Sequence, residues 1–183
     1  MILGNSGEHL EKINADYTIL DKLGLKHRQY IFSVSSQAHI EHKNFKILQQ
    51  ISGKVDLPIT AVGNYNKPGI IYTGRISDAQ LKALYLEASM FIFPSLYEGF
   101  GIPILESFFC LTPCIVSDIP VFHEICKDAV LYFNPNDAND LINKIKLLQN
   151  NESLYNNLVN QSKFIVNDYR WKKQAAALLA LIV

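Results

Sequence analysis

Six short runs of apolar, β-branched and aromatic residues constrain this chain more than any other feature. They are 30–35, 58–63, 69–74, 90–94, 114–117 and 130–133. Runs this short, without polar alternation, are what strands buried on both faces look like. Between them the apolar spacing turns helical, as at Phe45, Ile47, Leu48 and Ile51, or at Leu81, Leu84, Tyr85 and Ala88 behind the N-cap candidate Ser77. A third helical segment covers 102–109, with Pro103 in its first turn. No two-residue turn signal joins consecutive runs, so the strands must lie parallel and be linked through helices. The expected fold class is therefore α/β: a doubly wound parallel sheet of about six strands with helices on both faces. Three closing helices are expected over 137–148, 152–166 and 169–182. Residues 1–29 fall outside the alternation; Gly4, Asn5, Ser6 and Gly7 are turn-formers, and only 13–25 hints at a helix.

Bulk properties narrow the function. The 183 residues suffice for one ordinary globular domain. Seventeen basic and seventeen acidic residues cancel, which argues against nucleic acid binding through a broad basic surface. Cys110, Cys114 and Cys126 form neither a disulfide framework nor a CxxC zinc pair and are expected to be buried thiols. The N-terminus lacks the pattern of a signal peptide, and the apolar tail 175–183 is far below the ~20 residues of a membrane span. A soluble, cytoplasmic domain is the expectation.

Ligands of doubly wound sheets bind beyond the carboxyl ends of the strands. Glu98-Gly99-Phe100-Gly101 falls there, between the run ending at Pro94 and the helix starting at Ile102. Two glycines let an anion approach the backbone, and the first helical turn turns N–H groups and the favourable dipole end toward it. Glu98 and Glu106 flank this phosphate cradle. Repelled by phosphate themselves, they suit the hydroxyls on either side of a nucleoside diphosphate sugar. A glycosidase acid and nucleophile pair is the rival chemistry, but it gives a phosphate cradle no role.

The stretch Pro94-Ser-Leu-Tyr-Glu-Gly-Phe-Gly-Ile-Pro-Ile-Leu-Glu106, with seven residues between the two glutamates, resembles the signature of retaining glycosyltransferases of family 4. The resemblance extends to Lys43-Asn44-Phe45, Val116-Ser117-Asp118, Glu124 and 128–135, covering roughly residues 30–182. It implies a GT-B enzyme, in which two Rossmann-like domains face each other across a cleft, and it makes this chain the C-terminal, donor-binding half. On that basis residues 1–29 are the interdomain lead-in and 30–183 the nucleotide-sugar domain. Glu98 and Lys43 take the catalytic roles, Glu98 at the hydroxyls of the transferred sugar and Lys43 at the diphosphate as it becomes the leaving group. Glu106 would hold the ribose; Gly99, Phe100, Gly101 and Ile102 would present the backbone to sugar and diphosphate.

The sequence also departs from the family pattern. An arginine that is frequent after the first strand is replaced by Ser35-Ser36-Gln37, so Ser36 and Arg75 are the candidates to complete donor binding. Leu111 stands where glycine is usual, and His123 where proline is usual before Glu124. His123 is expected to be a turn residue, His39 and His42 surface loop residues, and Tyr97 packing beside the site. No cofactor or metal is implied; the substrate would be a GDP- or UDP-sugar, and the product a mannosyl or similar hexosyl linkage in polysaccharide or lipopolysaccharide. The expected partners are a missing N-terminal acceptor domain, a second copy through the apolar closing helix, and the membrane surface for the full-length enzyme. The alternatives are a non-catalytic nucleotide-sugar-binding subunit of a split or multi-protein complex and, less favoured by the glutamate pair, a sugar-nucleotide epimerase.

Overall fold

The computed structural model describes residues 5–35 and 40–180. Its centre is one parallel six-stranded sheet: β1 (Ile31–Val34), β2 (Ile59–Val62), β3 (Ile70–Tyr72), β4 (Met90–Phe93), β5 (Cys114–Ser117) and β6 (Val130–Phe133), in the order β3-β2-β1-β4-β5-β6. All six expected strands are present, and each pairing between them is parallel.

Alternate residues of each strand feed two separate cores. Phe32, Phe91, Phe93, Cys114 and Val116 face one side, where they meet α1 (Thr18–Leu23), α3 (Asp78–Glu87), α4 (Ile102–Phe109) and α5 (Pro120–Cys126). Ile31, Ile59, Met90, Ile92 and Ile115 face the other, against α2 (Phe45–Ile51) and α6 (Ala138–Gln149). Helix α7 (Glu152–Asp168) serves both, with Leu158 in the second core and Ile165 and Val166 in the first. Burial of both sheet faces is why the strands read as continuous apolar runs. Helix α8 (Trp171–Leu179) buries none of its residues and leaves Trp171, Leu178 and Leu179 exposed.

Local signals account for the helix boundaries. Ser77 caps α3 in a reciprocal capping box with Gln80: the Gln80 N–H donates to Ser77 Oγ and the Ser77 N–H to Gln80 Oε1, both at 3.2 Å. Helix α5 was not expected. Its seven residues start at Pro120 and bury Phe122, Ile125 and Cys126, a helical spacing carried by a short segment. His123 accordingly lies on a helix and not in a turn. It stacks on Tyr132 at 3.9 Å and lies 2.6 Å from Asp118 Oδ1. Leu111 has φ of 58°, the left-handed conformation that makes glycine usual at such a place. All three cysteines are buried, and burial pushes the Cys110 and Cys114 thiols up to about 12.

The lead-in is more ordered than its composition suggests. A 3-10 helix at Glu8–Lys12 and α1 place Leu10, Ile19 and Leu20 in the core beside α3 and α4. Arg170 grips Glu11 with two hydrogen bonds of 2.7 and 2.8 Å, and the Trp171 N–H donates to Glu8. Gly7 lies so close to α4 that a Cβ there would come within 2.6 Å of the Glu106 nitrogen. Among the described residues, no helix is long and apolar enough to cross a membrane.

Candidate active site

The chain runs outward from β1 to β3 and then returns to lay β4 against the other side of β1. The carboxyl ends of β1 and β4 therefore flank the topological switch point, where the two outgoing loops diverge and open a crevice. A cavity of about 560 Å³ occupies that place. Its walls are Val34 and Ser35 from the end of β1, Phe93 from β4, Val62 from β2, Lys43, Asn5, and the run from Glu98 to Pro103. A recess of about 640 Å³ lies on the far side of the 41–45 segment, among Phe45, Tyr65, Tyr72, Lys46 and Lys67, and holds none of the expected site residues.

Lys43 and Glu98, 55 residues apart in sequence, meet here: Lys43 Nζ donates to Glu98 Oε1 at 2.7 Å. The backbone brings them together. The Leu96 N–H donates to the His42 carbonyl at 2.7 Å, stitching the loop after β4 to the loop after β1. Asn44, in the left-handed conformation with φ of 53°, anchors the other end by donating from Nδ2 to the Pro135 carbonyl at 2.8 Å. Ser95, buried just after β4, donates to the same Glu98 oxygen at 2.8 Å. Two donors thus converge on Oε1, and among the described residues none is placed on Oε2.

Gly101 forms the N-cap of α4 with φ of 113° and ψ of 47°, a backbone shape that a side chain strongly disfavours. A Cβ there would also press on Phe122 and Ile104 at 3.2 and 3.3 Å. Gly99 is under no such demand, since a Cβ on it would meet no protein atom within 4 Å. Gly101, Ile102 and Pro103 all line the cavity, so the positive end of the α4 dipole faces it. Phe100 packs edge-on against Tyr169 with ring centroids 5.6 Å apart, which fixes the loop to the end of α7.

Glu106 lies one turn deeper in α4 and is only 8% exposed. The Tyr85 hydroxyl donates to its Oε2 at 3.0 Å, and His9 Nε2 stands 3.6 Å from its Oε1. Burial raises the Glu106 pKa above its ordinary value, opposed by the Tyr85 hydrogen bond and the nearby His9. Burial, and then the Glu106 carboxylate, holds the Tyr85 hydroxyl well above its own ordinary value, so it is a donor at neutral pH.

The expected residues are only partly gathered. Lys43, Glu98, Gly99, Phe100, Gly101 and Ile102 share the cavity, whereas Glu106, buried one turn deeper, is not among the residues that line it. Arg75 is exposed and lines an adjoining depression with Val62, Gly63 and Tyr65. Ser36 and His39 lie outside the described residues. Tyr97 does not pack beside the site: it is 73% exposed, because the loop between β4 and α4 turns it outward while Ser95 points in. Ser95, Tyr85, His9 and Asn5 were not anticipated. Ser95 stands inside the stretch that carries both glutamates, whereas Tyr85 reads simply as the apolar face of α3. Among the described residues, no group of three or more His, Cys, Asp or Glu is placed to hold a metal ion.

A doubly wound domain with a glycine-lined crevice at its switch point, where a lysine–glutamate pair meets a helix N-terminus, is the class that fold and site define. The family model of glycosyl transferases group 1 matches residues 59–164, more than half of the chain, and the chain belongs to that family. It is 41% identical over 101 residues to the O-antigen chain mannosyltransferase RfbU of Salmonella typhimurium strain LT2, covering 54% of this chain and 29% of that protein. To O-antigen chain mannosyltransferase B of Escherichia coli it is 44% identical over 69 residues, 38% of this chain and 18% of the relative. The chain thus spans less than a third of either mannosyltransferase. Among solved structures, sucrose-phosphate synthase from Thermosynechococcus elongatus superposes with a TM-score of 0.79 at 19% identity, over 98% of this chain and 50% of that one. That likeness shows the fold, a Rossmann-like unit of the kind found in GT-B proteins.

Proposed function

We propose that this chain is the donor-binding domain of a retaining glycosyltransferase that uses a nucleoside diphosphate hexose, with mannose as the transferred sugar and a polysaccharide or lipid-linked glycan as acceptor. The Lys43–Glu98 pair at the mouth of the α4 N-terminus carries this reading. Transfer breaks the bond between the anomeric carbon and the diphosphate oxygen, which keeps the electron pair. Lys43 and the α4 N-terminus stand where that negative charge grows. Glu98, already supplied with two donors, orients the sugar by accepting from its hydroxyls, and Glu106 accepts from the ribose. The charges of Lys43 and the helix N-terminus meet the diphosphate without a metal ion. The choice of mannose rests on the names of the relatives, and the acceptor is assigned to a second domain facing the crevice.

Titration calorimetry of the chain against GDP-mannose, GDP, UDP-glucose and UDP tests the reading. Binding of GDP-mannose with a preference over UDP-glucose is expected; failure to bind any of the four overturns it. Slow donor hydrolysis by the chain alone would identify a catalytic domain. Binding without turnover, and without rescue by an acceptor domain added in trans, would identify a nucleotide-sugar-binding subunit.

A further inference from the structure

The proposed function gives Glu106 the donor ribose, and the roles of its neighbours depend on that assignment. A carboxylate with four acceptor positions, nearly sealed from water, is a poor recognition group unless something fixes its rotamer and keeps it charged. The structure supplies two groups that nothing in the motif announces. Tyr85, fully buried in α3 and held edge-on between Phe32 and Phe91, donates to Oε2 at 3.0 Å. His9, from the 3-10 helix of the lead-in, stands 3.6 Å from Oε1 and is itself 43% exposed. Gly7 seats that 3-10 helix directly on the backbone of α4 at Glu106, and Asn5 continues the same strap into the crevice wall.

We propose that Tyr85 and His9 are the positioning residues of donor recognition: Tyr85 locks Glu106 through Oε2, leaving Oε1 toward the ribose beside His9. The lead-in strap is then a working wall of the nucleotide site. The titratable groups around Glu106 are Tyr85 and Asp78 on α3, His9 on the 3-10 helix and Cys110 at the end of α4. Tyr85 and His9 pull the carboxyl toward ionisation, whereas burial and Asp78 oppose it. Removing either helper therefore moves ionisation of Glu106, and with it nucleotide binding, to higher pH.

The test is calorimetric titration of GDP and UDP into the wild-type chain and the Tyr85→Phe, His9→Ala and Glu106→Ala variants, over a pH series that extends upward from the ordinary carboxylate value. Tyr85→Phe should weaken binding roughly three- to tenfold, the net worth of one ordinary hydrogen bond, because it acts on the ligand only through Glu106. It should also shift the pH midpoint upward; His9→Ala should shift it the same way by less. Tyr85→Phe combined with Glu106→Ala should bind no worse than Glu106→Ala alone. A merely structural tyrosine would lower the melting temperature without moving the pH midpoint. If Glu106→Ala impairs binding while Tyr85→Phe and His9→Ala match wild type at every pH, the positioning role is overturned and the ribose assignment stands. If Glu106→Ala is itself without effect, the assignment falls and takes this inference with it. His9→Ala, on an exposed side chain, decides the matter should Tyr85→Phe fail to fold.

Discussion

Glu98 and Glu106 belong to one thirteen-residue stretch and sit on successive parts of one loop and helix, and both side chains are largely buried, 13% and 11% exposed, yet the partners they meet differ in charge. Glu98 meets a full positive charge at 2.7 Å and a serine hydroxyl at 2.8 Å, at the mouth of an open crevice. Glu106 takes its hydrogen bond from a neutral phenol instead. An opposite charge beside a buried carboxylate offsets more of its desolvation than a neutral hydroxyl does. Two identical side chains are thus equipped for different work: under the proposed function, one orients the transferred sugar and the other accepts from the ribose.

The largest effect should separate their ligands. Glu106→Ala is expected to weaken free nucleoside diphosphate binding by roughly 1–3 kcal/mol, the range for lost hydrogen bonds to a charged group. Glu98→Ala should spare the free nucleoside diphosphate and weaken only the sugar-bearing form. Calorimetry with GDP and GDP-mannose on both variants checks this, and equal losses for both ligands would merge the two roles.

The glycines between the carboxylates should divide in the same way, into one that serves the fold and one that serves the ligand. Gly101→Ala forces a side chain to φ of 113° against Phe122 and should cost about 1–2 kcal/mol of stability in denaturant unfolding. Gly99→Ala, with nothing within 4 Å, should leave stability unchanged and reduce donor affinity. A Gly99→Ala variant that binds the donor normally would remove this glycine from the cradle.

The smallest effect concerns stability against pH. The Glu106 pKa is raised in the folded chain from its ordinary 4.5, chiefly by burial. The protonated form is therefore the one that folding favours. Its contribution is complete below pH 4.5 and disappears as pH rises through the elevated folded value. Glu106→Gln, which stays neutral, should gain on wild type over that interval and hold the gain above it while losing nucleotide affinity. Parallel unfolding curves at every pH would show that Glu106 carries no desolvation penalty.

Much of this is legible in the sequence because it is local. Six apolar runs without hairpin turns could only stack in parallel, and the pattern at Ser77-Asp-Ala-Gln80 carries its capping box within four residues. The N-cap glycine of α4 and its proline at the second position are likewise readable from neighbours alone. Helix α5 escapes such a reading because seven residues give too few periods for its spacing to stand out, although Pro120 marks its start. Tyr97 is misplaced by it because an irregular loop has no side-chain periodicity, so nothing local says that it faces solvent.

By itself, then, the sequence determined the α/β class, the order in which strands and helices appear, and the chemical types that stand at the carboxyl ends of the strands. These come from period, turn chemistry and composition within short windows, where few conformations compete. Only the tertiary structure decided that the strand order reverses beside β1, which opens the crevice. It alone joined Lys43 to Glu98 across 55 residues, and brought Tyr85 and His9 from two other elements onto Glu106. Contacts of that kind depend on how helices seat on the sheet, and packing of that sort is set by the whole core at once rather than by any stretch of the chain.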